Sequence, residues 1–379
     1  MTGLLTFHWA DDCGGMLQAY ALKRYLALQG EEAVFLPYAP RKLTGRYWWA
    51  PLIATQQQGR IRYQVPLLWW GGNALRGTGF WRRRRLMRRF RRQYLTTRPP
   101  VRRAEQLSLA GLRCLFVGSD QVWNPAITVG LDDAYLGELP GKESCRIVSY
   151  AASMGGDRLP EDCQARFARR VGENFAAVSV REESAVPFVA ELLGREPACV
   201  LDPTLLLDRE EWERVAVPPK EERYLLVYAT QRNTEMAEEI RAFAREQGLR
   251  AIQLSAQRWW ESKAGVESRD AVGPAEFVGY FRNAACVITN SFHGTVFSIL
   301  FRRPFLTFCH TTRGARMGDL LNKLGLAERL ATGEIESDRR RLAAPADWEG
   351  AAERLTAARQ QSEAFIARQL QLAEQGETR

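Results

Sequence analysis

The sequence contains no acidic residue between Arg41 and Arg103, although the same segment contains 17 lysine and arginine residues. The rest of the chain carries the other 36 of the 53 basic residues against all 44 acidic ones. The net charge of +9 is therefore concentrated in one segment, and the remainder of the chain is acidic. This distribution excludes a protein that is basic over its whole surface.

The features of disulfide-rich, zinc-binding, secreted and membrane-spanning proteins are also missing. The seven cysteines show no CxxC spacing, which predicts reduced thiols rather than a disulfide framework or a zinc site. The N-terminus has no basic stretch ahead of an apolar core, and no uncharged run of about 18 apolar residues occurs. We therefore expect a soluble, cytoplasmic protein without a signal peptide or a spanning helix.

The 379 residues, 46% of them apolar, are enough for two medium-sized hydrophobic cores. Short apolar runs alternate with segments of helical periodicity along most of the chain. This alternation predicts an α/β fold with parallel sheets that are covered on both faces. We expect a first lobe over residues 1–200, a second lobe over 201–345 and a closing helix over 346–379 that packs back on the first lobe.

The segment from about 41 to 105 interrupts this alternation and is predicted to be a partly helical insertion in the first lobe. It combines many basic residues with five tryptophans, which are Trp48, Trp49, Trp69, Trp70 and Trp81. Three interpretations stay open: a solvated helical arm, a surface for anionic lipid or a lipid-linked diphosphate, and a nucleic-acid patch. Tryptophan beside arginine is typical of a membrane interface, whereas no motif supports nucleic-acid binding.

A predicted strand over Cys286–Thr289 ends in the sequence Asn290-Ser291-Phe292-His293-Gly294, and a helix is expected to open at Gly294. This turn brings a hydroxyl, an imidazole and backbone N–H groups to the positive end of a helix dipole. It therefore predicts an anion site with a titratable group. The alternative is that Ser291 only caps the helix and His293 is a structural histidine.

Polar residues follow two further predicted strands. Asp120 lies among hydrogen-bonding side chains and beside Trp123, which suits a general base or a sugar-binding carboxylate with an aromatic stacking surface. Arg181 leaves a buried strand, where it is placed to clamp a carboxylate or a phosphate. The alternatives are that Asp120 caps the next segment and that Arg181 pairs with Glu182 or Glu183.

Ligands of parallel α/β sheets bind beyond the carboxyl ends of the strands, so these groups predict a small-molecule cleft between the lobes. Asp202, in an Asp-Pro-Thr sequence, is interpreted as part of a turn rather than as a catalytic carboxylate. His8 and His310 have too little context for a role.

Six blocks in this sequence resemble the polysaccharide pyruvyl transferase family, in the order of the family and across most of Gly3 to Leu326. They are Gly15-Met16-Leu17-Gln18-Ala19-Tyr20-Ala21-Leu22, Gly118-Ser119-Asp120-Gln121-Val122-Trp123-Asn124, Ser149-Tyr150-Ala151-Ala152-Ser153, Ser179-Val180-Arg181-Glu182, Asp202-Pro203-Thr204-Leu205-Leu206 and Thr289-Asn290-Ser291-Phe292-His293-Gly294. The sequence departs from the family at Asp12-Cys13-Gly14, where Asn-Tyr-Gly is common, and the basic insertion is not one of the family motifs.

The resemblance implies two Rossmann-like lobes similar to the B-type glycosyltransferase fold. It implies transfer of a carboxyethylidene group from phosphoenolpyruvate to two hydroxyls of a sugar, in a polysaccharide or its lipid-linked precursor. The expected site residues are His293 and Asp120 for catalysis, Arg181, Asn290, Ser291 and Gly294 for the donor, and Gly14, Gln18, Ser119, Trp123 and Asn124 for the acceptor.

His293 is expected either to donate a proton or to bind phosphate, and Asp120 to accept a proton from the sugar. No cofactor, metal or nucleic acid is expected, and the segment Arg41–Arg103 suggests peripheral contact with the inner face of a membrane. Two other functions remain open. One is a nucleotide-sugar glycosyltransferase on the same scaffold, and the other is a non-catalytic protein that binds a membrane surface or nucleic acid.

Overall fold

The computed structural model describes residues 1–45, 52–57, 60–64, 77–96, 98–231, 233–254, 265–309 and 315–378. Trp48, Trp49, Trp69, Trp70 and His310 lie outside these ranges. The chain divides into two compact units. The first comprises Met1–Gly77, Arg88–Leu206 and Ala358–Arg379, and the second comprises Thr78–Met87 and Leu207–Ala357.

The strands are β1 (Thr2–Leu5), β2 (Ala33–Phe35), β3 (Ile53–Gln57), β4 (Arg60–Gln64), β5 (Cys114–Asp120), β6 (Arg146–Ala152), β7 (Ser179–Val180), β8 (Ala198–Cys199), β9 (Tyr224–Tyr228), β10 (Arg250–Leu254), β11 (Val266–Arg269), β12 (Cys286–Thr289) and β13 (Phe305–Thr307). The α-helices are α1 (Cys13–Leu28), α2 (Arg41–Thr44), α3 (Gly77–Phe90), α4 (Pro125–Thr128), α5 (Glu161–Asn174), α6 (Val186–Leu193), α7 (Arg209–Glu213), α8 (Thr234–Glu246), α9 (Pro274–Asn283), α10 (Phe292–Leu300), α11 (Ala315–Lys323), α12 (Ile335–Ala343) and α13 (Trp348–Glu374). A π-helical turn follows α3 at Arg91–Leu95, and short 3-10 turns include Pro203–Leu205.

The first unit contains a six-stranded sheet in the order β2-β1-β5-β6-β7-β8, and all of its pairings are parallel. Its central strand β5 is buried along almost its whole length, as expected for a strand with helices on both faces of the sheet. The core includes Leu5, Val117, Trp123, Ile147 and Phe167. The predicted α/β class with a parallel sheet is confirmed for this unit.

The second unit contains a five-stranded parallel sheet in the order β11-β10-β9-β12-β13. Leu225, Val227 and Ile288 on its strands pack with Ile240 and Phe243 of α8. The apolar runs in the sequence predict β9, β10 and β12 with the observed bounds. Strand β11 was not predicted, because Val266-Glu267-Ser268-Arg269 has only one apolar residue.

The long helix α13 contributes its second half to the first unit. The backbone N–H of Leu201 donates a 2.9 Å hydrogen bond to Ser362 Oγ, and Arg146 Nη2 donates one of 3.0 Å to Gln369 Oε1. These polar contacts fix the helix beside the sheet edge that carries β8. The last turn of the chain joins them, since Arg146 Nη1 also donates to the carbonyl of Glu377.

The basic insertion forms an antiparallel hairpin of β3 and β4, followed by helix α3. Residues 78–87 of this helix are grouped with the second unit, and the chain returns to the first unit at Arg88. Within the described ranges, no helix is both long and apolar enough to cross a membrane. All seven cysteines carry free thiols in this structure.

Candidate functional site

A polar group lies at the carboxyl ends of β5 to β8 in the first unit. Asp120 ends β5 with a φ of 67°, a left-handed conformation that aspartate tolerates better than most residues. Gly118, two residues earlier, has a φ of 127°, and a Cβ there would lie 2.2 Å from the carbonyl oxygen of Tyr150. Glycine at position 118 and aspartate at position 120 therefore allow the backbone to turn sharply where β5 ends.

Asp120 is half-buried, and its Oδ1 accepts a 2.8 Å hydrogen bond from the backbone N–H of Gln121. This contact is local to the turn and is not a helix cap, because the next helix begins at Pro125 and is capped by Asn124. The other carboxylate oxygen, Oδ2, faces the first turn of α1, where a Cβ added to Gly15 would lie 3.5 Å away. The carboxylate thus stands between the end of β5 and the start of α1.

Arg181 is held by two buried carboxylates. Its Nε donates a 3.0 Å hydrogen bond to Glu182 Oε1, and its Nη1 donates one of 2.9 Å to Asp202 Oδ2. Burial by itself lowers the pKa of Arg181, but the charges of Glu182, Asp202 and Asp120 outweigh it and raise the pKa above its usual value. The pairing with Glu182 is one of the alternatives that the sequence left open, and Asp202 is a partner that was not predicted.

The same carboxylates organise the neighbouring strand ends. Ser119 Oγ donates a 3.1 Å hydrogen bond to Asp202 Oδ2, and Thr204 Oγ1 donates one of 2.6 Å to Asp202 Oδ1. Ser153 Oγ donates one of 2.8 Å to Glu182 Oε1. Because Ser119 is fully buried in this network, we assign it a positioning role instead of the predicted contact with the acceptor.

Trp123 and Asn124 do not offer free surfaces to a sugar. Trp123 has 0% exposure, its ring packs edge-on against Phe167, and its Nε1 donates a 2.9 Å hydrogen bond to the carbonyl of Tyr135. Asn124 caps α4 through its Oδ1, which accepts from the backbone N–H of Ala126 at 3.0 Å. A ring without an exposed face has no stacking surface, so we correct the prediction and place Trp123 in the core.

The residues predicted at the start of the first helix are also interior. The sequence predicts a helix from Met16 to Gln29, but helix α1 begins at Cys13, so Gly14 belongs to its first turn and is buried. The carboxylate of Asp12 caps the helix by accepting a 2.9 Å hydrogen bond from the Gly15 N–H. Gln18 has 0% exposure, and its Nε2 donates to Thr6 Oγ1 and to the Gly15 carbonyl, each at 2.8 Å. The amide nitrogen of Gln18 is thus used in contacts within the first unit, and the acceptor roles of Gly14 and Gln18 stay predictions.

An apolar slot opens beside these residues at the ends of β1 and β2. It encloses only about 30 Å³ and is otherwise open to solvent. Its lining includes Phe7, Trp9, Tyr38 and Tyr135. Burial, Asp132 and Asp120 together raise the pKa of Tyr135 well above its usual value, which places the charge of Asp120 near this lining. The slot was not predicted, because its aromatic residues come from separated parts of the sequence.

His8 lies under the slot and is fully buried, stacked on the ring of Phe35 at a centroid distance of 4.6 Å. Its Nδ1 is 3.0 Å from the carbonyl oxygen of Thr6. Burial is the main reason why the pKa of His8 falls to about 3, so the ring is neutral at physiological pH. His8 is therefore a core histidine.

The second polar group lies at the carboxyl end of β12 in the second unit. Helix α10 begins at Phe292, two residues before the predicted start, so His293 and Gly294 belong to its first turn. Ser291 occupies the N-cap position, but its side chain makes no capping hydrogen bond. The prediction that Ser291 merely caps the helix is therefore wrong. Its hydroxyl lies at the positive end of the helix dipole and accepts no hydrogen bond from the first N–H groups of the helix.

Two neighbours fix the shape of this turn. Asn290 Oδ1 accepts a 2.8 Å hydrogen bond from the Thr230 N–H, and Asn290 Nδ2 donates one of 2.8 Å to the Gln231 carbonyl. Asn290 thus ties the turn to the loop that follows β9. A Cβ on Gly294 would lie 2.2 Å from Thr289 Oγ1, so only glycine lets the helix start so close to the strand.

His293 is largely buried, with 9% of its surface exposed, and its ring packs edge-on against that of Phe292 at 5.5 Å. The buried guanidinium of Arg316 lies over the ring of Phe292, 5.9 Å from its centroid. Arg316 adds positive charge beside the helix start. Sequence reasoning missed it, because Arg316 sits in an ordinary amphipathic helix, 22 positions after Gly294 at the end of the turn.

Among the described residues, no group of three or more His, Cys, Asp and Glu side chains is arranged to hold a metal ion. The second unit offers an imidazole, a hydroxyl and a helix N-terminus to an anion, and the first unit offers a carboxylate beside an apolar slot.

Solved structures of low sequence identity align along most of the chain. Arabidopsis thaliana UGT89C1, solved in complex with quercetin, is 12% identical, with 99% of each chain covered and a TM-score of 0.49. A putative UDP-N-acetylglucosamine 2-epimerase from Listeria monocytogenes is 11% identical, with 93% of each chain covered and a TM-score of 0.49. UDP-N-acetylglucosamine 2-epimerase from Rickettsia bellii is 10% identical, covers 99% of this chain and 96% of its own, and has a TM-score of 0.48.

A comparison with curated protein sequences returned no match. A family model does match, over residues 12–309, which is more than half of the chain. The matched range contains Asp120, Arg181 and the turn from Asn290 to Gly294. The resemblance noted in the six sequence blocks is thereby confirmed, and the chain belongs to the polysaccharide pyruvyl transferase family.

Proposed function

We propose that this transferase takes its carboxyethylidene group from phosphoenolpyruvate and joins it as a ketal to two hydroxyls of a sugar, in a polysaccharide or its lipid-linked precursor. The observation that carries the proposal is the start of α10, where the Ser291 hydroxyl is not used as a cap and His293 lies in the first turn. Phosphoenolpyruvate is an anion with a phosphate and a carboxylate, and helix N-termini bind such groups.

The proposed reaction balances without a cofactor. One sugar oxygen bonds to C2 of the donor while C3 gains a proton, so the carbon–carbon double bond becomes a methyl group. The second sugar oxygen then bonds to C2, and the bond from C2 to the phosphate oxygen breaks. The two sugar hydroxyls release two protons. One of them restores the acid that protonated C3, and the other leaves with inorganic phosphate.

The second unit is the proposed donor side. His293 acts there as the proton donor to C3 or as a ligand of the phosphate, and Ser291 and the backbone of the first turn bind the anion. Arg316 strengthens the positive potential beside the turn. Arg181, which the sequence assigned to the donor, is already paired with Glu182 and Asp202, so we assign it to holding the strand ends of the first unit.

The first unit is the proposed acceptor side. Asp120 carries a half-buried carboxylate that can accept the proton of a sugar hydroxyl, and the half-buried Trp9 gives the slot an aromatic wall. Aromatic walls pack against the C–H faces of a sugar, while a carboxylate binds its hydroxyls. The slot thus takes the place of Trp123 as the proposed stacking surface.

The test is incubation of the full-length protein with phosphoenolpyruvate labelled in its carbon skeleton and a soluble saccharide acceptor. We expect equal amounts of inorganic phosphate and an acid-labile labelled ketal. A parallel reaction with labelled nucleotide sugars should transfer no label. Sugar transfer from a nucleotide donor, with no turnover of phosphoenolpyruvate, would establish the glycosyltransferase alternative instead.

The roles of His293 are separable by kinetics. If the imidazole donates the proton, His293→Gln should lower kcat by about 10²- to 10⁴-fold and remove the basic limb of the pH–rate profile. If the imidazole binds phosphate, the same variant should mainly raise KM for phosphoenolpyruvate. Full activity of His293→Gln would refute this donor site.

A further inference from the structure

Helix α3 carries an exposed basic face that the transfer reaction does not use. We define this basic face as Trp81, Arg82, Arg85, Arg88 and Arg89. Trp81 is 53% exposed, and the four arginines are also exposed, whereas Met87 and Phe90 are buried. At about 100° per residue, the five residues fall within an arc of roughly 120°. The helix is thus amphipathic, with an apolar buried side and a solvent side that carries four arginines and one tryptophan.

The charge of this face is not neutralised within the described part of the chain. No ion pair to a carboxylate is found there for Arg82, Arg85, Arg88 or Arg89, in contrast to Arg91, which pairs with Asp11 at 2.7 Å. The segment from Arg41 to Arg103 supplies no acidic residue of its own, so any carboxylate partner has to come from another part of the chain, as it does for Arg91. Guanidinium groups of this kind bind phosphates through parallel N–H donors.

From these observations we propose that the basic face binds the anionic headgroups of a phospholipid membrane. Charge complementarity explains the arginines, and the exposed indole of Trp81 fits the headgroup level, where amphipathic rings accumulate. Arginine also binds nucleic-acid phosphates and guanine edges, so DNA is the comparison ligand in the experiment below. The contact is peripheral, since none of the described helices can span a bilayer.

Arg91 connects this face to the proposed acceptor side. It follows α3 directly, is buried, and points away from the basic face. Its Nε donates a 3.2 Å hydrogen bond to the carbonyl of His8, and its Nη2 donates one of 3.2 Å to the carbonyl of Trp9. The guanidinium also lies over the Trp9 ring, 5.2 Å from its centroid.

The end of α3 is therefore fixed to the loop that supplies Trp9 to the slot. Membrane binding through Arg88 and Arg89, which belong to the same unit as Arg91 and Trp9, would hold that loop near the headgroups, where the sugar of a lipid-linked acceptor lies. This last step rests on the proposed function, whereas the binding of lipid does not.

The experiment is co-sedimentation of the full-length protein with vesicles of phosphatidylcholine alone and of phosphatidylcholine with phosphatidylglycerol. We expect binding only to the anionic vesicles and a loss of binding as salt is raised. The triple variant R85Q/R88Q/R89Q should bind about a hundredfold more weakly, because each basic residue near an anionic surface contributes roughly fivefold. The matched control R169Q/R241Q/R245Q removes three other exposed arginines and should bind like the wild type.

Three results would overturn the proposal. They are no binding of the wild type to anionic vesicles at low salt, equal losses in the triple variant and its control, and tighter binding of duplex or single-stranded DNA than of vesicles. A thermal melt of each variant checks that it is folded. The salt titration uses the wild type alone, so it tests the proposal even if the triple variant does not fold. Because no donor or acceptor is present, these outcomes are independent of the transfer assay on a soluble saccharide.

Discussion

The Nη1 of Arg181 donates a 2.9 Å hydrogen bond to Oδ2 of Asp202, and both side chains are almost completely buried. The pair joins the end of β7 to the turn after β8, and Asp202 also accepts from Ser119 at the end of β5. The strand ends that surround Asp120 are thus fixed by charges that face inward. Arg181, which the sequence analysis interpreted as a ligand clamp, instead holds the strand ends beside Asp120 through buried ion pairs.

We predict that Arg181→Ala is primarily a stability variant. Loss of one partner leaves the carboxylates of Glu182 and Asp202 buried without their cation, which should lower the free energy of unfolding by about 3–5 kcal/mol. Urea denaturation followed by circular dichroism measures this, with the exposed Arg169→Ala as the control. Wild-type stability together with a large rise in KM for phosphoenolpyruvate would instead restore Arg181 as a donor ligand.

Ser291→Ala should separate ligand binding from helix capping. Because the Ser291 hydroxyl does not cap α10, we expect a change in stability below about 0.5 kcal/mol and a several-fold rise in KM for phosphoenolpyruvate. Asp208 is the matched comparison, since its carboxylate caps α7 by accepting from the Glu211 N–H at 2.9 Å. Asp208→Ala should cost about 1 kcal/mol and leave KM unchanged. A stability loss of equal size in both variants would contradict the assignment.

Gly294→Ala should damage the start of α10. The added Cβ would lie 2.2 Å from Thr289 Oγ1, which holds β12 to β9 through its hydrogen bond to the Tyr228 carbonyl. We expect a loss of about 1–3 kcal/mol in unfolding free energy and a fall in activity. Gly318 lies in α11 with no atom near its Cβ position, so Gly318→Ala should stabilise the protein by about 0.5–1 kcal/mol. Thermal melts of both variants provide the comparison.

Stability should depend on pH through Glu239. Burial, with a smaller contribution from the charge of Asp338, raises the pKa of Glu239 from 4.5 to about 7. A raised folded-state pKa means that the carboxyl favours folding at low pH and that this contribution is lost as the pH rises through about 7. The wild type should therefore lose up to about 3 kcal/mol between pH 4.5 and pH 8 from this group.

Glu239→Gln should remove that loss and be the more stable protein at pH 8. The exposed Glu238→Gln, on the same helix, serves as the control and should follow the wild-type pH dependence. Urea denaturation at several pH values gives the curves. Parallel curves for wild type and Glu239→Gln would show that the buried carboxyl titrates normally.

Trp9→Ala should weaken the acceptor while sparing the donor. Trp9 is half-buried and forms a wall of the slot, so its loss should raise KM for the saccharide by about 3- to 10-fold. Trp123→Phe is the contrasting variant, since it removes the hydrogen bond to the Tyr135 carbonyl inside the core. It should lower stability by about 1 kcal/mol and leave KM for the saccharide unchanged. Steady-state kinetics with both substrates varied distinguishes the two.

Periodicity predicted the elements whose burial pattern is local. The periodicity predicts a helix near Glu161 to Asn174, where α5 is found, and strands β9, β10 and β12 also have the predicted bounds, because each is a continuous run of one hydrophobic period. The start of α10 was placed two residues late, since Phe292 and His293 give no start signal and the N-cap is a serine without a capping contact. Strand β11 was missed because its edge position does not require apolar residues on both faces.

The sequence by itself determined that polar residues collect at the ends of parallel strands, which is where Asp120 and the Asn290–Gly294 turn lie. It also determined the family, because six local blocks retain their residue types and their order. Those properties depend on neighbouring residues along the chain. The basic character of α3 belongs to the same class, since it follows from composition alone.

Only the tertiary structure decided what each side chain faces. Arg181 meets Asp202 across 21 positions of sequence, and Ser119 meets the same carboxylate across 83. Trp123 is buried because α5 packs over it, whereas Trp9 lines a slot because residues distant in sequence leave room there. A local pattern sets the position of a residue along a strand or helix. Its burial and its ion partners depend on contacts between distant segments, which no local pattern contains.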